Sequence, residues 1–126
     1  MDISAMKASI KANPDYPKAG MVLYHNGIVR NTSRDGRLVK GLRVRVDQQK
    51  LEEIIEKYRC RAGIVDIQVE IAADCDLAVG DDVMLLAVAG DIRENVIATL
   101  SDALNAIKTT ATDKTEFFIQ EPDKPV

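Results

Sequence analysis

The sequence predicts an α+β fold, in which helices pack on a mainly antiparallel sheet. One run of residues is wholly apolar, two runs alternate apolar with polar residues, and other stretches carry apolar residues at helical spacing. The chain has 126 residues, of which 46% are hydrophobic, and this suffices for one domain with a real core. We expect an N-terminal helix and joint over residues 1–20, a domain over residues 21–119, and a disordered tail over residues 120–126.

The first predicted elements are a short helix and two strands. Apolar side chains recur at helical spacing until Asn13–Pro14 ends the pattern. The segment Met21–Arg30 then predicts a strand, in which Asn26–Gly27 indicates a bulge or a close backbone approach. A polar loop with an Asp35–Gly36 turn follows, and a second, alternating strand runs over about Arg37–Asp47. We therefore expect these two strands to form a hairpin.

The next segments predict a helix and two further strands. Asp47 can cap a helix over about Gln48–Arg59, whose apolar residues lie on one face. The alternating segment Val65–Ile71 predicts a strand covered on one side. A turn-rich segment leads from there to Val83–Ala89, an apolar run typical of a strand buried on both faces.

The last predicted helix ends at Lys108. Asp91 is expected to cap it, with Glu94 closing a capping box three residues on. Spacings of three and four predict one core-facing stripe, made of Val96, Ile97, Leu100, Ala103, Leu104 and Ile107. A polar segment, Thr109–Thr115, then leads to the apolar residues Phe117–Ile119.

Composition argues against several functional classes. A net charge of −3 and 4% aromatic residues without tryptophan argue against nucleic-acid binding and against attraction to anionic membranes. No apolar run is long enough to span a bilayer, and Met1–Ser4 lacks the features of a secretory signal, so we expect a cytoplasmic protein. Cys60 and Cys75 lack the spacing of a zinc or redox site, and the single histidine, His25, excludes a histidine-rich metal centre within one chain. We therefore expect no metal and no cofactor.

Basic residues concentrate between positions 30 and 45, where Asp35 is the single acid among Arg30, Arg34, Arg37, Lys40, Arg43 and Arg45. Such an excess favours a phosphate or carboxylate partner, because the guanidinium group is a planar donor that fits these anions. Arg30, Arg34 and Arg37 are candidate anion-binding residues. Arg43 and Arg45 are more simply the solvated face of an alternating strand.

Arg93 and Lys108 stand at the two ends of the last predicted helix. Fifteen residues at about 1.5 Å rise each place them about 22 Å apart, so one small anion cannot contact both within a straight helix. If both serve one site, a homodimer must bring Arg93 of one chain to Lys108 of the other. Lys108 and Lys114 are also candidates for proton transfer, although ordinary surface lysines are the simpler alternative. His25 is more simply a hydrogen-bonded sheet residue than a catalyst.

Several motifs occur in a characteristic order. Gly27-Ile28-Val29-Arg30 is followed by a basic turn, Val79-Gly80-Asp81, a buried strand, an arginine that opens a helix, and Lys108-Thr109. Over most of residues 21–118 this order resembles the large, catalytic subunit of molybdopterin synthase. The resemblance implies an α/β hammerhead fold and a central dimer, flanked by two small ubiquitin-like subunits with thiocarboxylated C-terminal tails. The implied activity is sulfur transfer to cyclic pyranopterin monophosphate, which forms the dithiolene of molybdopterin.

The resemblance also assigns roles to individual residues. It implies that Arg30 and Arg93 bind the pterin phosphate or the carboxyl end of the tail, that Lys108 is the central catalytic lysine, and that Lys114 is the second lysine. The sequence departs from the family at Ile92, where a histidine is usual, and at Thr110–Asp113, which replaces a longer segment containing arginine, proline and an aromatic residue. The alternative is a non-catalytic homodimeric module that binds a phosphorylated ligand or a partner's C-terminal tail through the basic hairpin.

Overall fold

The protein's computed structural model describes residues 1–119. The helices are α1 (Ile3–Lys11), α2 (Gln48–Arg59) and α3 (Arg93–Ala106), with a 3₁₀ turn at Tyr16–Lys18 and a π turn at Ile107–Ala111. The strands are β1 (Met21–Ile28), β2 (Val39–Val46), β3 (Ile64–Ile71), β4 (Leu77–Ala78), β5 (Asp82–Gly90) and β6 (Thr112–Phe118). The expected tail over residues 120–126 lies outside the described residues.

The strands form two antiparallel sheets of three strands each. The first sheet has the order β1-β5-β3, and the second has the order β4-β2-β6. Helices pack on the first sheet, so the predicted α+β class with a mainly antiparallel arrangement is confirmed. Within residues 1–119, no helix is both long and apolar enough to cross a membrane.

The central strand of the first sheet, β5, is covered on both faces. Its alternate side chains enter two cores: Met84, Leu86 and Val88 pack with α2 and α3, and Leu85, Ala87 and Ala89 pack with α1. This division follows from the pleat, which points successive side chains to opposite faces. The prediction of a strand buried on both faces is confirmed.

The beginning of α2 also agrees with the sequence prediction. The Asp47 carboxylate accepts a hydrogen bond from the Lys50 amide at 3.1 Å, so it caps the helix. Leu51, Ile55 and Tyr58 of this helix are buried in the same core as α3. The cap and the core-facing stripe together fix the direction in which α2 leaves the second sheet.

The expected hairpin between the first two long strands is wrong. β1 pairs with β5 and β2 pairs with β6, so the two strands belong to different sheets. Between them, a single bridge from Thr32 to Leu38 closes the loop. Alternation of apolar residues predicts that a strand exists, but it does not specify the partner of that strand. The expected irregularity near Asn26–Gly27 is present, as a register shift between Gly27 and Ile28.

The predicted capping box of α3 is also wrong. The N-cap residue is Ile92, which supplies no capping side chain. The Asp91 carboxylate instead accepts hydrogen bonds from the Ile92 amide at 2.7 Å and from the Asn95 side chain at 2.9 Å. The amide of Asp91 donates to the carbonyl of Gly63 at 2.9 Å, which holds the residue one position too early to cap the helix. Hydrogen bonds from Asn95 and then Ile92 lower the pKa of Asp91.

The stripe of α3 is narrower than expected. Val96, Ala103 and Ile107 are buried, and the leucines between them are partly buried. Ile97 is 52% exposed, so its predicted place in the core is wrong. One residue corresponds to about 100° of rotation, and the step from Val96 therefore turns Ile97 out of the core.

The end of α3 differs most from the expectation. The α-helix ends at Ala106, the π turn carries Lys108, and the segment expected to be a polar connection contains β6. β6 pairs with β2 along its length, with Val44 opposite Lys114 and Val46 opposite Thr112. The strand is an edge strand with mostly polar residues, so it lacks the apolar alternation on which strand prediction depends.

Candidate functional site

A cavity of about 610 Å³ lies where the two sheets meet. Its apolar lining comes from the strands β2, β3 and β5, through Leu42, Val44, Ile71, Val83 and Met84. Its ionisable lining comes from β1, the loop after β1, the π turn and β6, through His25, Arg30, Arg34, Lys108, Lys114 and Glu116. The cavity therefore joins an apolar surface to a group of mostly cationic side chains.

The π turn places Lys108 at this cavity. Ile107 is fully buried beside it, and Ala111 is buried at the other end of the turn. The hydroxyls of Thr109 and Thr110 donate to the carbonyls of Asn105 and Ala106, at 2.8 and 2.6 Å respectively. These bonds satisfy carbonyls that the end of an α-helix leaves without partners. The threonine-rich departure from the family pattern thus supports a defined turn around Lys108.

The pairing of β6 with β2 places Lys114 at the same cavity. Lys114 lies opposite Val44, whose side chain belongs to the apolar lining. Thr112, Lys114 and Glu116 all line the cavity, as expected for alternate residues of one strand. The Lys114 ammonium lies 3.7 Å from the Glu116 carboxylate. Lys108 and Lys114, which the sequence singled out as a pair, are therefore brought together in one cavity.

The loop between β1 and β2 is fixed by its own polar groups. The Ser33 hydroxyl donates to the Asp35 carboxylate, and the Arg37 amide donates to the same carboxylate at 3.1 Å. These two hydrogen bonds, in that order, lower the pKa of Asp35, with a smaller contribution from the Arg37 charge. Gly36 has a φ of 87°, a conformation that favours glycine. The loop is thus a closed turn that presents its arginines in defined directions.

The structure separates the predicted arginines into two groups. Arg30 and Arg34 line the cavity, and the Arg30 Nε donates to the carbonyl of Thr32 at 2.8 Å. Arg37 lies outside the cavity lining, with its guanidinium 3.6 Å from the centre of the Phe118 ring. Arg43 pairs with Asp76 at 3.1 Å on the exposed face, in agreement with the solvated-face alternative.

Arg93 also lies outside the cavity lining of its own chain. It opens α3, and its Nε lies 3.2 Å from the Glu94 carboxylate. Lys108 follows the opposite end of the same helix. This arrangement agrees with the expectation that the two residues cannot meet at one anion within a single chain.

His25 is a site residue that the sequence argument undervalued. It lines the cavity from β1, and burial followed by the nearby Lys108 charge lowers its pKa. The sequence did contain a signal that His25 has open space beside it, because Gly27 lies two residues further along the same strand. Residues two apart share a face of a strand, and a glycine leaves open space beside its neighbour.

The charges of the cavity suit an anionic ligand. Four permanent cations, from two arginines and two lysines, share it with the single carboxylate of Glu116. Arginine offers planar paired donors for phosphate or carboxylate, and lysine offers a compact donor that can also exchange a proton. Across the described part of the chain, no three His, Cys, Asp or Glu side chains are grouped to hold a metal ion. The arrangement can bind an anion and supply or accept protons beside it.

Comparison with known proteins assigns the chain to a family. Residues 1–110 match the family described as MoaE protein. No curated protein sequence matches the chain.

Solved structures of several bacterial proteins share the fold. Molybdopterin cofactor biosynthesis protein E from Burkholderia multivorans has a TM-score of 0.73 and 25% identity, over 94% of this chain and 84% of its own. Molybdopterin synthase from Staphylococcus aureus has a TM-score of 0.69 and 20% identity, over 82% of this chain and 78% of its own. The complex of subunits 1 and 2 of molybdopterin-converting factor from Helicobacter pylori has a TM-score of 0.69 and 18% identity, over 100% of this chain and 89% of the matched chain.

These findings confirm the resemblance that the order of the motifs indicated. The family match spans most of the chain, and the arrangement of helices and sheets agrees with the solved structures named for the same biosynthesis. This chain therefore belongs to the MoaE protein family.

Proposed function

We propose that this chain is the large subunit of a molybdopterin synthase and transfers sulfur from a thiocarboxylated small protein to cyclic pyranopterin monophosphate. Membership of the MoaE family supports a role in molybdenum cofactor biosynthesis. The observation that carries the finer proposal is the meeting of Lys108, Lys114 and Arg30 in one cavity, although they come from three separate parts of the fold.

The proposed roles follow from the chemistry of each group. Arg30 and Arg34 hold the substrate phosphate or the anionic end of the small protein's tail, because guanidinium groups bind such anions through paired hydrogen bonds. Each sulfur transfer forms a carbon–sulfur bond on the pterin in place of a carbon–oxygen bond, and it breaks the carbon–sulfur bond of one thiocarboxylate. Water supplies the oxygen that converts the end of the tail to a carboxylate, and two such transfers give the dithiolene. Lys108 and Lys114 stabilise the negative charge that develops on oxygen and exchange protons with the reacting groups.

Arg93 fits this proposal through a second copy of the chain. Arg93 opens α3, which at about 1.5 Å rise per residue is about 21 Å long, and Lys108 lies in the π turn after the other end of this helix. We propose a homodimer in which Arg93 of one chain completes the anion site of the other, flanked by two ubiquitin-like small subunits in the cytoplasm. The Helicobacter pylori structure, a complex of two molybdopterin-converting factor subunits, supports a small-subunit partner.

The test is product formation, followed by mass spectrometry. The purified chain is incubated with a thiocarboxylated small subunit from the same organism and with cyclic pyranopterin monophosphate. Appearance of the dithiolene product supports the proposal. If an established synthase gives product in parallel and this chain gives none, the sulfur-transfer proposal is rejected. Anion or tail binding without turnover would then favour the non-catalytic binding module, which would use the loop arginines Arg30 and Arg34 in place of the expected hairpin.

A further inference from the structure

We propose that His25 is a further anion-binding residue of the cavity, which together with Lys108 holds one anionic group and takes up a proton as that group binds. The inference rests on the proposed function only for the identity of the anion. Its evidence is the position of His25, the free hydrogen-bonding capacity of its ring, and the charges that surround it.

The imidazole lies beside Gly27 on one face of β1. His25 lies opposite Leu86 in the ladder between β1 and β5, and its side chain shares a face of β1 with Gly27. A Cβ atom on Gly27 would lie 3.4 Å from the His25 Nε2 and 3.7 Å from the Cβ of Met84. The ring therefore lies along the backbone of Gly27, within the wall of the cavity.

The ring nitrogens of His25 are available to a ligand. Among residues 1–119, no protein group makes a hydrogen bond with the imidazole. A half-buried histidine of structural importance usually donates to a carbonyl or a carboxylate, which also fixes its tautomer. His25 is a sheet residue, as expected, but within residues 1–119 its imidazole donor and acceptor have no protein partner and can bind an occupant of the cavity.

The charged side chains that line the cavity with His25 come from three elements. Lys108 approaches from the π turn, Lys114 and Glu116 from β6, and Arg30 and Arg34 from the loop after β1. The lining from β2, β3 and β5 is apolar. Burial and then the Lys108 charge lower the pKa of His25, so both causes favour the neutral imidazole.

A bound anion offsets the second cause, the Lys108 charge, and so raises the pKa of His25. A phosphate or carboxylate beside Lys108 compensates the ammonium charge and adds a negative charge next to the ring. The imidazole then binds one proton from the solvent and donates it in a hydrogen bond to the anion, without making or breaking any other covalent bond. Anion binding and proton binding are therefore coupled, and each favours the other by the same factor.

The single histidine of the chain allows a direct test. The ring C–H resonances of His25 are followed by proton NMR across a pH titration, without assignment of other signals. One sample contains sulfate, which keeps its two negative charges across the titration and represents a phosphate group. Another contains N-acetylglycine, which represents the carboxyl end of a peptide tail, and a third contains chloride at the same ionic strength.

We expect sulfate, N-acetylglycine or both to move the titration midpoint of His25 to higher pH than chloride does. Sulfate should bind about tenfold more tightly at about pH 5.5 than at about pH 8.5 if it raises the midpoint by about one pH unit within that interval. A shift with sulfate alone identifies a phosphate-type ligand, and a shift with N-acetylglycine alone identifies a carboxylate tail. Equal titrations in all three samples overturn the proposal.

A pair of matched variants tests the role of Lys108. Lys108→Gln should raise the His25 midpoint in chloride and remove most of the anion-dependent shift. Lys50→Gln, which removes an exposed lysine of α2, should leave both unchanged. If Lys108→Gln behaves like Lys50→Gln, His25 and Lys108 do not form the proposed pair. These measurements use the chain alone. The anion-binding proposal can therefore succeed or fail independently of whether the chain forms product with the small subunit.

Discussion

Lys114 lies opposite Val44 in the antiparallel ladder between β2 and β6. The pairing is nonlocal, and it determines which side chains of β6 reach the cavity. Thr112, Lys114 and Glu116 line it, while Asp113 and Thr115 do not. A shift of one residue would exchange these two sets, because the side chains of a strand alternate between its faces. The position of the second lysine in the proposed site therefore depends on register as well as on sequence.

Exchanging Lys114 with Thr115 should abolish its contribution to catalysis. The double variant Lys114→Thr/Thr115→Lys keeps the composition and net charge but moves the ammonium to the opposite face of β6. We expect turnover to fall by about 100-fold, as for loss of a proton-transferring group, and to match the loss in Lys114→Ala. The measurement is the rate of dithiolene formation, with the melting temperature as a control for folding. Full activity of the exchanged variant would contradict this placement of Lys114.

Arg30 and Arg37 should differ in their effect on the substrate, although both are loop arginines. Arg30→Gln removes a charged donor from the cavity, so we expect KM to rise by about 10- to 100-fold, since hydrogen bonds to charged groups contribute about 1.5–3 kcal/mol. Arg37→Gln removes the contact with Phe118 and should lower stability by about 0.5–1 kcal/mol with little change in KM. Steady-state kinetics and urea unfolding of both variants check the pair. Equal increases in KM would show that Arg37 also reaches the substrate.

Arg93 and Lys108 should complement each other between chains. If the site combines Lys108 of one chain with Arg93 of the other, Lys108→Ala and Arg93→Ala proteins are each inactive alone, and Lys108→Ala still binds the small subunit. A mixed dimer of the two variants contains one site with both native residues, so co-expression should restore activity up to about half that of the native dimer. Product formation by the purified mixed dimer is the measurement. Failure to restore activity in a mixed dimer that forms normally would place both residues in the same chain's site or exclude one of them.

The stability of the fold should depend on pH through His25. The folded pKa lies below the ordinary value of 6.5, so the unfolded chain binds the proton more readily than the folded chain. The contribution of His25 to the free energy of unfolding is therefore complete above pH 6.5. It declines as the pH falls from 6.5 towards the pKa of His25 in the folded chain. The urea midpoint should therefore fall less in His25→Gln than in the native chain when the pH is lowered from about 7.5 to about 5.5. An equal fall in both proteins would show that other groups cause the pH dependence.

Local sequence patterns predicted the elements whose burial is simple. β5 is apolar from Val83 to Ala89 and lies between two layers of helices, and α2 combines an aspartate cap with a regular stripe. Prediction failed where polar groups had more than one possible partner. Asp91 bonds to Ile92 and Asn95 and does not cap α3 from the expected position. β6 is a mostly polar edge strand, so it lacks the apolar alternation that predicts a strand.

For the candidate site, the sequence identified Lys108, Lys114 and Arg30, and the order of its motifs identified the family. It could not separate Arg34 from Arg37, because the direction of each side chain follows from the turn that Ser33 and Asp35 close. It also undervalued His25, whose pKa is lowered by burial and then by the charge of Lys108, a residue far along the chain that the fold brings near. Neither effect is visible in the spacing of residues along the chain.

The sequence by itself determined the α+β class, the apolar centre of the first sheet and the chemical types available for an anion site, because these follow from local periodicity and side-chain chemistry. Only the tertiary structure decided that β1 and β2 belong to different sheets, that β6 completes the second sheet, and that His25 lies beside Lys108. The physical reason is that strand pairing satisfies backbone groups that every residue type shares. The partner of a strand, and with it the contents of the cavity, is therefore set by the packing of the whole chain.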